Sequence, residues 1–277
     1  EALFFSKSDE RVLFPSPVSG TIKEIVRGER RKVLEIHIAP AQEQTFKDYG
    51  KKNVNEMQGE DIKAYLLSSG CWPFIKQRPY DVIANPDGKP KAIFVSACKT
   101  NPLAPDYDYV LKGKEQALQT ALTALSKLTT GKVHVSVFKD SSLSPFRNLK
   151  DIVVHNVSGP HPAGNVSTQI AQISPINKGE VVWVVTPQDL VVIGELFLTG
   201  KLNLTRTVAL TGACIEKPHY VTVLAGAQIS GVVGSQVKDA ANTRVISGDV
   251  LTGTQVSETG FLGFYDDQIT AIPEGND

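Results

Sequence analysis

The chain has 277 residues, 41% of them hydrophobic, and 29 Lys plus Arg balance 29 Asp plus Glu, so it carries no formal net charge. That length predicts two or three domains. The missing charge excess argues against nucleic acid as a partner, because binding to phosphate backbones draws on clustered positive charge.

Cys71, Cys98 and Cys214 stand far apart with no C-x-x-C pair. This predicts a reducing compartment and no disulfide framework, zinc site or iron–sulfur cluster on this chain. The best apolar runs, 181–185 and 190–198, are short of the roughly 20 residues that cross a bilayer, and Glu195 interrupts the second. The chain opens on Glu1 rather than Met, directly in the apolar run Ala2-Leu3-Phe4-Phe5. A fragment whose first element is missing would look like this.

In chain order, residues 3–38 alternate short apolar runs with turn residues, which predicts a small β-sandwich or barrel occupying 1–48. An α/β unit is expected over 49–205. It begins with a helix from about 59 to 69, with Ile62, Tyr65 and Leu66 at core spacing and Gly70 as its stop. An irregular aromatic-rich loop, C-W-P-F-I-K-Q-R-P-Y-D, follows. Then comes a βαβ pattern: a strand over 91–97, an amphipathic helix over 114–128 stopped by Gly131, and a buried strand over 132–138. A further strand over 151–157 leads into V-S-G-P-H-P-A-G-N-V-S-T. From 206 to 277 the pattern turns β-rich, with strand candidates at 208–210 and 219–223 and a short helix or turn near 227–233. The last residues, 274–277, read as frayed.

The segment around His161 combines several backbone restrictions. Pro160 and Pro162 fix φ on either side of the histidine, and each biases the residue before it toward extended conformations. Gly159 and Gly164 permit positive φ or close approach of another group. Such a loop suits a binding site, and it equally suits a rigid connector between domains. It follows a strand C-terminus, as does the loop 99–105, and ligands of open α/β sheets bind at that edge.

The blocks S-P-V-S-G-T-I, R-P-Y-D, T-N-P-L-A-P, L-T-T-G-K-V, S-G-P-H-P-A-G-N-V-S-T, G-E-L-F-L-T-G and V-I-S-G-D-V-L-T-G-T occur in the same order in the A subunit of bacterial Na⁺-translocating NADH:quinone oxidoreductases. The chain resembles that family over essentially all its length, as a truncated fragment. The resemblance implies a lipoyl/biotinyl-carrier-like β domain, an α/β domain similar to the flavoprotein subunit of respiratory complex I, and a β-grasp, SLBB-like module. At the place of the carrier's modified lysine stands Asp9, with Lys7 two positions away, so the carrier fold is expected without its attachment. Where the flavoprotein subunit has a glycine-rich loop, this chain has Ser68-Ser69-Gly70-Cys71-Trp72-Pro73-Phe74. The glycines that let a phosphate approach are replaced, and Pro73 offers no N–H.

The resemblance therefore implies that this chain binds no cofactor, with FMN, FAD and iron–sulfur centres on other subunits. It also implies a peripheral position on the cytoplasmic side of the bacterial inner membrane, held by membrane subunits. Two functions follow as expectations: contribution to quinone binding (ubiquinone or menaquinone) and to assembly, or a purely structural docking role. A quinone slot needs apolar walls and a few donors. Trp72, Phe74, Tyr80 and Phe138 are candidates for the walls. His161, Arg78, Asn101 and Lys99 are candidates for the donors, in loops braced by Gly159 and Gly164. The loops 70–80, 99–105 and 158–164 are expected to meet around one pocket. Each residue has a plainer reading: Trp72 and Phe74 as core, Arg78 paired with Asp81, Asn101 as a turn initiator. His37, His134, His155 and His219 read as structural. No catalytic residue and no metal ligand is expected, since no nucleophile sits in a strand–turn–helix elbow.

Overall fold

The computed structural model describes residues 1–257 and 259–275. The N-terminal unit consists of two hairpins. β1 (Ala2–Ser6) pairs with β2 (Asp9–Pro15), and β3 (Gly20–Arg27) pairs with β4 (Val33–Pro40), all antiparallel. They form two separate two-stranded sheets. The residues of β3 are exposed along almost their whole length. Lys7 and Ser8 form the tip of the first hairpin, and Asp9 already belongs to the returning strand. Its carboxylate accepts from Arg11, whose guanidinium also reaches Asp87 at 2.7 Å.

The α/β unit follows. Its helix α1 (Gly59–Ser69) starts on a capping box between Gln58 and Asp61 and stops at Gly70, which is left-handed at φ 78°. Then come β5 (Lys76–Arg78), β6 (Val82–Ile83), β7 (Ile93–Ser96), α2 (Tyr107–Val110), α3 (Glu115–Ser126), β8 (Val133–Phe138), β9 (Val153–Val157), α4 (Val166–Ile173), β10 (Val182–Val184) and α5 (Pro187–Thr199). The sheet order is β6-β5-β10-β7-β8-β9, with β10, β7, β8 and β9 mutually parallel and β5 antiparallel to β10. The βαβ pattern read from 91–138 is thus present as β7, α3 and β8.

Alternation assigns the two faces of this sheet. Ile93 and Val95 pack with α1, α3 and α5 in the main core, whereas Ala92 and Phe94 pack with Ile170 of α4. α3 and α5 cross closely because Gly194 stands against the backbone of Ala117, where a Cβ would lie 1.9 Å from the carbonyl oxygen.

The C-terminal unit has its own core of Val208, Leu210, Ile215, Ile229, Val233, Leu262, Ile269 and Ala271. Its strands are β11 (Thr205–Thr211), β12 (His219–Leu224), β13 (Thr243–Ser247), β14 (Thr254–Gln255) and β15 (Gln268–Pro273), with α6 (Ile229–Val233) between β12 and β13. The order is β12-β11-β15-β13-β14, and only β11 and β15 run parallel. Glu274, read as frayed, is ion-paired with Arg244 at 2.7 Å. Residues 276 and 277 lie outside the described residues.

A column of aromatic rings joins the three units. Phe4 stacks on Phe14 at 4.5 Å, Phe14 meets Phe264 edge-on at 6.0 Å, and Phe264 stacks on Phe74 at 5.2 Å.

Candidate functional site

Parallel strands place their C-termini along one edge of the sheet, and two expected loops leave from that edge: 99–105 after β7 and 158–164 after β9. They interlock. Thr100 Oγ1 accepts the Gly164 N–H at 2.9 Å and lies 3.3 Å from His161 Nδ1. Ser96 Oγ donates to the Gly164 carbonyl at 2.8 Å, and Gln169 Nε2 donates to Ser96 Oγ at 3.0 Å. The two glycines play the two parts open to them. Gly159 adopts φ 122°, and Gly164 is pressed so closely on the other loop that a Cβ would lie 2.1 Å from the Cys98 carbonyl oxygen. The turn is closed by Ala163 N–H to Pro160 O at 2.9 Å and Asn165 N–H to Pro162 O at 2.8 Å.

His161 itself is exposed at the crest of this crossing. Because Thr100 Oγ1 already accepts from Gly164, its hydrogen can donate to Nδ1. With that bond made, a neutral imidazole carries its proton on Nε2, which is then a donor. The arrangement can present one oriented hydrogen bond to a carbonyl oxygen.

Lys99 and Asn101 face elsewhere. Lys99 Nζ pairs with Asp267 at 2.5 Å, and the same carboxylate accepts from Tyr107 Oη at 2.6 Å. Burial first, and then the Asp267 charge, raise the Tyr107 phenol well above its ordinary range. Asn101 Nδ2 donates to Gln268 Oε1 at 3.2 Å, while Gln268 Nε2 returns to Pro102 O at 3.0 Å. Both candidate donors therefore tie the α/β unit to the start of β15, Lys99 through Asp267 just before the strand and Asn101 through Gln268, its first residue.

The third loop does not join the other two as expected. Trp72 and Phe74 are 0% and 1% exposed. Trp72 lies edge-on to Trp183 and donates through Nε1 to Ala84 O at 2.7 Å. Both are core residues, the plainer of the two readings. β5 then runs antiparallel to β10, which carries Arg78 and Tyr80 to the opposite edge of the sheet from His161. Arg78 pairs there with Asp81 at 3.3 Å, and Tyr80 is 82% exposed. Among the described residues no hydrogen bond or ion pair links 70–80 to either of the other loops. Phe138 ends β8 and is 39% exposed.

Segment 70–76 is closed over from both sides. The N–H groups of Gly70, Cys71, Phe74 and Ile75 donate to Leu67 O, Leu66 O, Cys71 O and Trp72 O at 3.0 to 3.2 Å. Phe264 covers Phe74, and Tyr265 Oη donates to Pro73 O at 2.8 Å. Gly70 lies against Pro15 of the first hairpin, where a Cβ would come within 2.7 Å of the proline ring.

Sequence reading missed one arrangement. His134 Nδ1 and His155 Nε2, on neighbouring strands, are 2.9 Å apart, and His134 stacks on Phe94 at 4.9 Å. Burial lowers both imidazoles below their ordinary pKa, and for His134 the neighbouring His155 adds to it. The histidines lie 21 residues apart on strands whose pairing sets their approach, so spacing alone carried no signal. Among the described residues there is no cluster of three or more metal-ligating side chains, and no helix is long and apolar enough to cross a membrane.

Comparison with known families matches the NqrA N-terminal barrel-sandwich hybrid domain over 1–41, the NqrA second alpha/beta domain over 57–202 and the NQRA C-terminal domain over 207–258. Relatives named as the A subunit of Na(+)-translocating NADH-quinone reductase include one from Yersinia pseudotuberculosis serotype O:1b, 37% identical over all of this chain. Another, from Neisseria meningitidis serogroup A, is 39% identical over 99% of it. The chain spans 62% of the length of each. Among solved structures, a chain of an NAD+-reducing [NiFe]-hydrogenase in the air-oxidized state aligns with a TM-score of 0.54 at 12% identity. The alignment covers 83% of this chain and 52% of that one, which is a likeness of fold alone.

Proposed function

This chain belongs to the NqrA family, and on that premise we propose that it is a flavin-free peripheral subunit of a Na⁺-translocating NADH-quinone reductase, contributing to assembly of the complex and to quinone binding. The observation that carries the flavin-free reading is the state of segment 70–76. A phosphate cradle needs several free backbone N–H groups converging on one point. Here four of them are spent, two on carbonyls of α1 and two within the segment, Pro73 has none, and Phe264, Tyr265 and Pro15 cover it. FMN does not fit that arrangement.

The parallel strands with α1, α3 and α5 on one face support the likeness to the flavoprotein subunit of complex I. The mixed sheet with β11 and β15 parallel at its centre supports the β-grasp label. The tight turn at Lys7 and the Asp9–Arg11 pair support a carrier-like hairpin without an attachment. Other subunits of the reductase are the partners of this reading. A position on the cytoplasmic face belongs to it as well, with FMN, FAD and iron–sulfur centres residing elsewhere.

For quinone, the support is the convergence of two loops at the C-terminal edge of parallel strands, with His161 oriented by Thr100. In the assembled enzyme, His161→Ala should weaken quinone-linked turnover by roughly two- to twelvefold, the worth of one neutral hydrogen bond. NADH oxidation by artificial acceptors should stay unchanged. Normal assembly with unaltered quinone kinetics would favour a purely structural docking role. The engagement of Lys99 and Asn101 in holding β15 is the observation that favours that second reading.

A further inference from the structure

The loop that carries His161 runs directly into α4, and a helical side chain leans toward the N-terminus of its own helix. Gln169, in the first turn of α4, therefore reaches back beneath the crossing of the two loops, where it is 3% exposed. Its Nε2 lies 3.0 Å from Ser96 Oγ, 3.2 Å from Cys98 Sγ and 3.3 Å from Ala163 O. The reverse orientation of the carboxamide would set Oε1 against the Ala163 carbonyl, two acceptors face to face.

These contacts hold both peptide planes beside Gly164. Ala163 O accepts from Gln169, while the N–H of the same peptide, that of Gly164, donates to Thr100 Oγ1. Gly164 O accepts from Ser96, whose oxygen itself accepts from Gln169. Thr100 Oγ1 in turn lies 3.3 Å from His161 Nδ1. A chain of hydrogen bonds thus connects the buried carboxamide to the exposed imidazole, and the members of such a chain polarise one another. Gln169 Oε1 is buried with no partner among the described residues, a rare condition for a buried polar atom. An apolar side chain of the same length would pack there without an unsatisfied acceptor, so stability alone does not call for an amide.

We propose that Gln169 is the positioning residue of the His161 loop, holding the Gly164 peptides so that Thr100 donates to Nδ1 and the imidazole keeps its proton on Nε2. The consequence for turnover rests on the quinone reading above. The consequence for the imidazole does not.

The test compares Gln169→Met with the parent protein in two measurements. In the intact chain, in alkaline buffer, the imidazole nitrogen chemical shifts are recorded, with His161→Ala identifying the signals of that ring. His161 Nδ1 should show the shift of an unprotonated nitrogen that accepts a hydrogen bond, and Gln169→Met should move it toward its value in Thr100→Val, where that donor is gone. In the assembled enzyme, Gln169→Met should lower quinone-linked turnover by up to the roughly two- to twelvefold expected of His161→Ala. Combined with His161→Ala, it should lower turnover no further. An unmoved Nδ1 shift, unchanged turnover where His161→Ala reduces it, or a loss that persists in full beside His161→Ala would each overturn the proposal. If His161→Ala itself leaves quinone kinetics intact, the quinone reading fails and the Nδ1 shift alone decides the positioning role. Should Gln169→Met not fold, Ser96→Ala breaks the same chain from the half-buried end of β7 and is held to the same outcomes.

Discussion

Gly164 and Thr100 show how little latitude the crossing of the two loops allows. With the Cys98 carbonyl 2.1 Å and the Thr100 amide nitrogen 2.7 Å from where a Cβ would sit, Gly164→Ala must displace one backbone from the other. We expect a loss of about 1–3 kcal/mol, the usual cost of overpacking, measured as a lower urea midpoint with an unchanged slope. Thr100→Val should free the imidazole but also leave the Gly164 N–H without its acceptor, costing about 1–3 kcal/mol of stability, and its effect on quinone-linked turnover of the whole complex should follow that of His161→Ala. The histidine pair makes a different prediction. Both imidazoles have folded-state pKa values below the unfolded 6.5, so on acidification the unfolded chain takes up protons first. The stability they contribute is complete above pH 6.5 and falls as the pH drops through the folded values. His134→Phe, which keeps a ring on Phe94, should flatten that part of the stability profile relative to the parent chain. Glycine and proline punctuation made the His161 loop legible, because their restrictions are local. The partners of Lys99 and Asn101 were not legible, since they lie 168 and 167 residues away.

Among the elements, those whose periodicity is internal were readable: α1 with its stop at Gly70, the βαβ unit, and the strand leading to the His161 loop. Pairing was not. Nothing in K-Q-R tells that β5 runs antiparallel to β10, yet that direction alone sends Arg78 and Tyr80 to the far edge of the sheet and breaks the expected three-loop pocket. Trp72 and Phe74 illustrate the same limit, for an aromatic-rich loop reads identically whether it lines a slot or fills a core. The aromatic column gives a test at this level. Phe264 is half-buried but touches Phe14, Phe74 and Tyr265. Phe264→Ala should cost about 2–3 kcal/mol, toward the low end for buried aromatics, and should expose the segment around Pro15 and Pro73 to limited proteolysis before the sheets themselves unfold.

For the molecule as a whole, the closure of segment 70–76 predicts that reconstitution with FMN yields no flavin absorbance band. Trp72→Gly alone should not restore one, because the spent amides of Cys71, Phe74 and Ile75 would remain unavailable. A flavin band in either sample would refute the flavin-free reading while leaving family membership untouched.

The aromatic column also orders events in time. Pro73 and Tyr265 are separated by 192 residues, on the order of 10–40 s of synthesis at usual rates. Throughout that interval Phe4, Phe14 and Phe74 have emerged and Phe264 has not, so the nascent chain carries an uncovered aromatic patch until its C-terminal sheet arrives. Chaperone demand on this protein should accordingly be greatest during elongation and fall once residue 265 has left the ribosome.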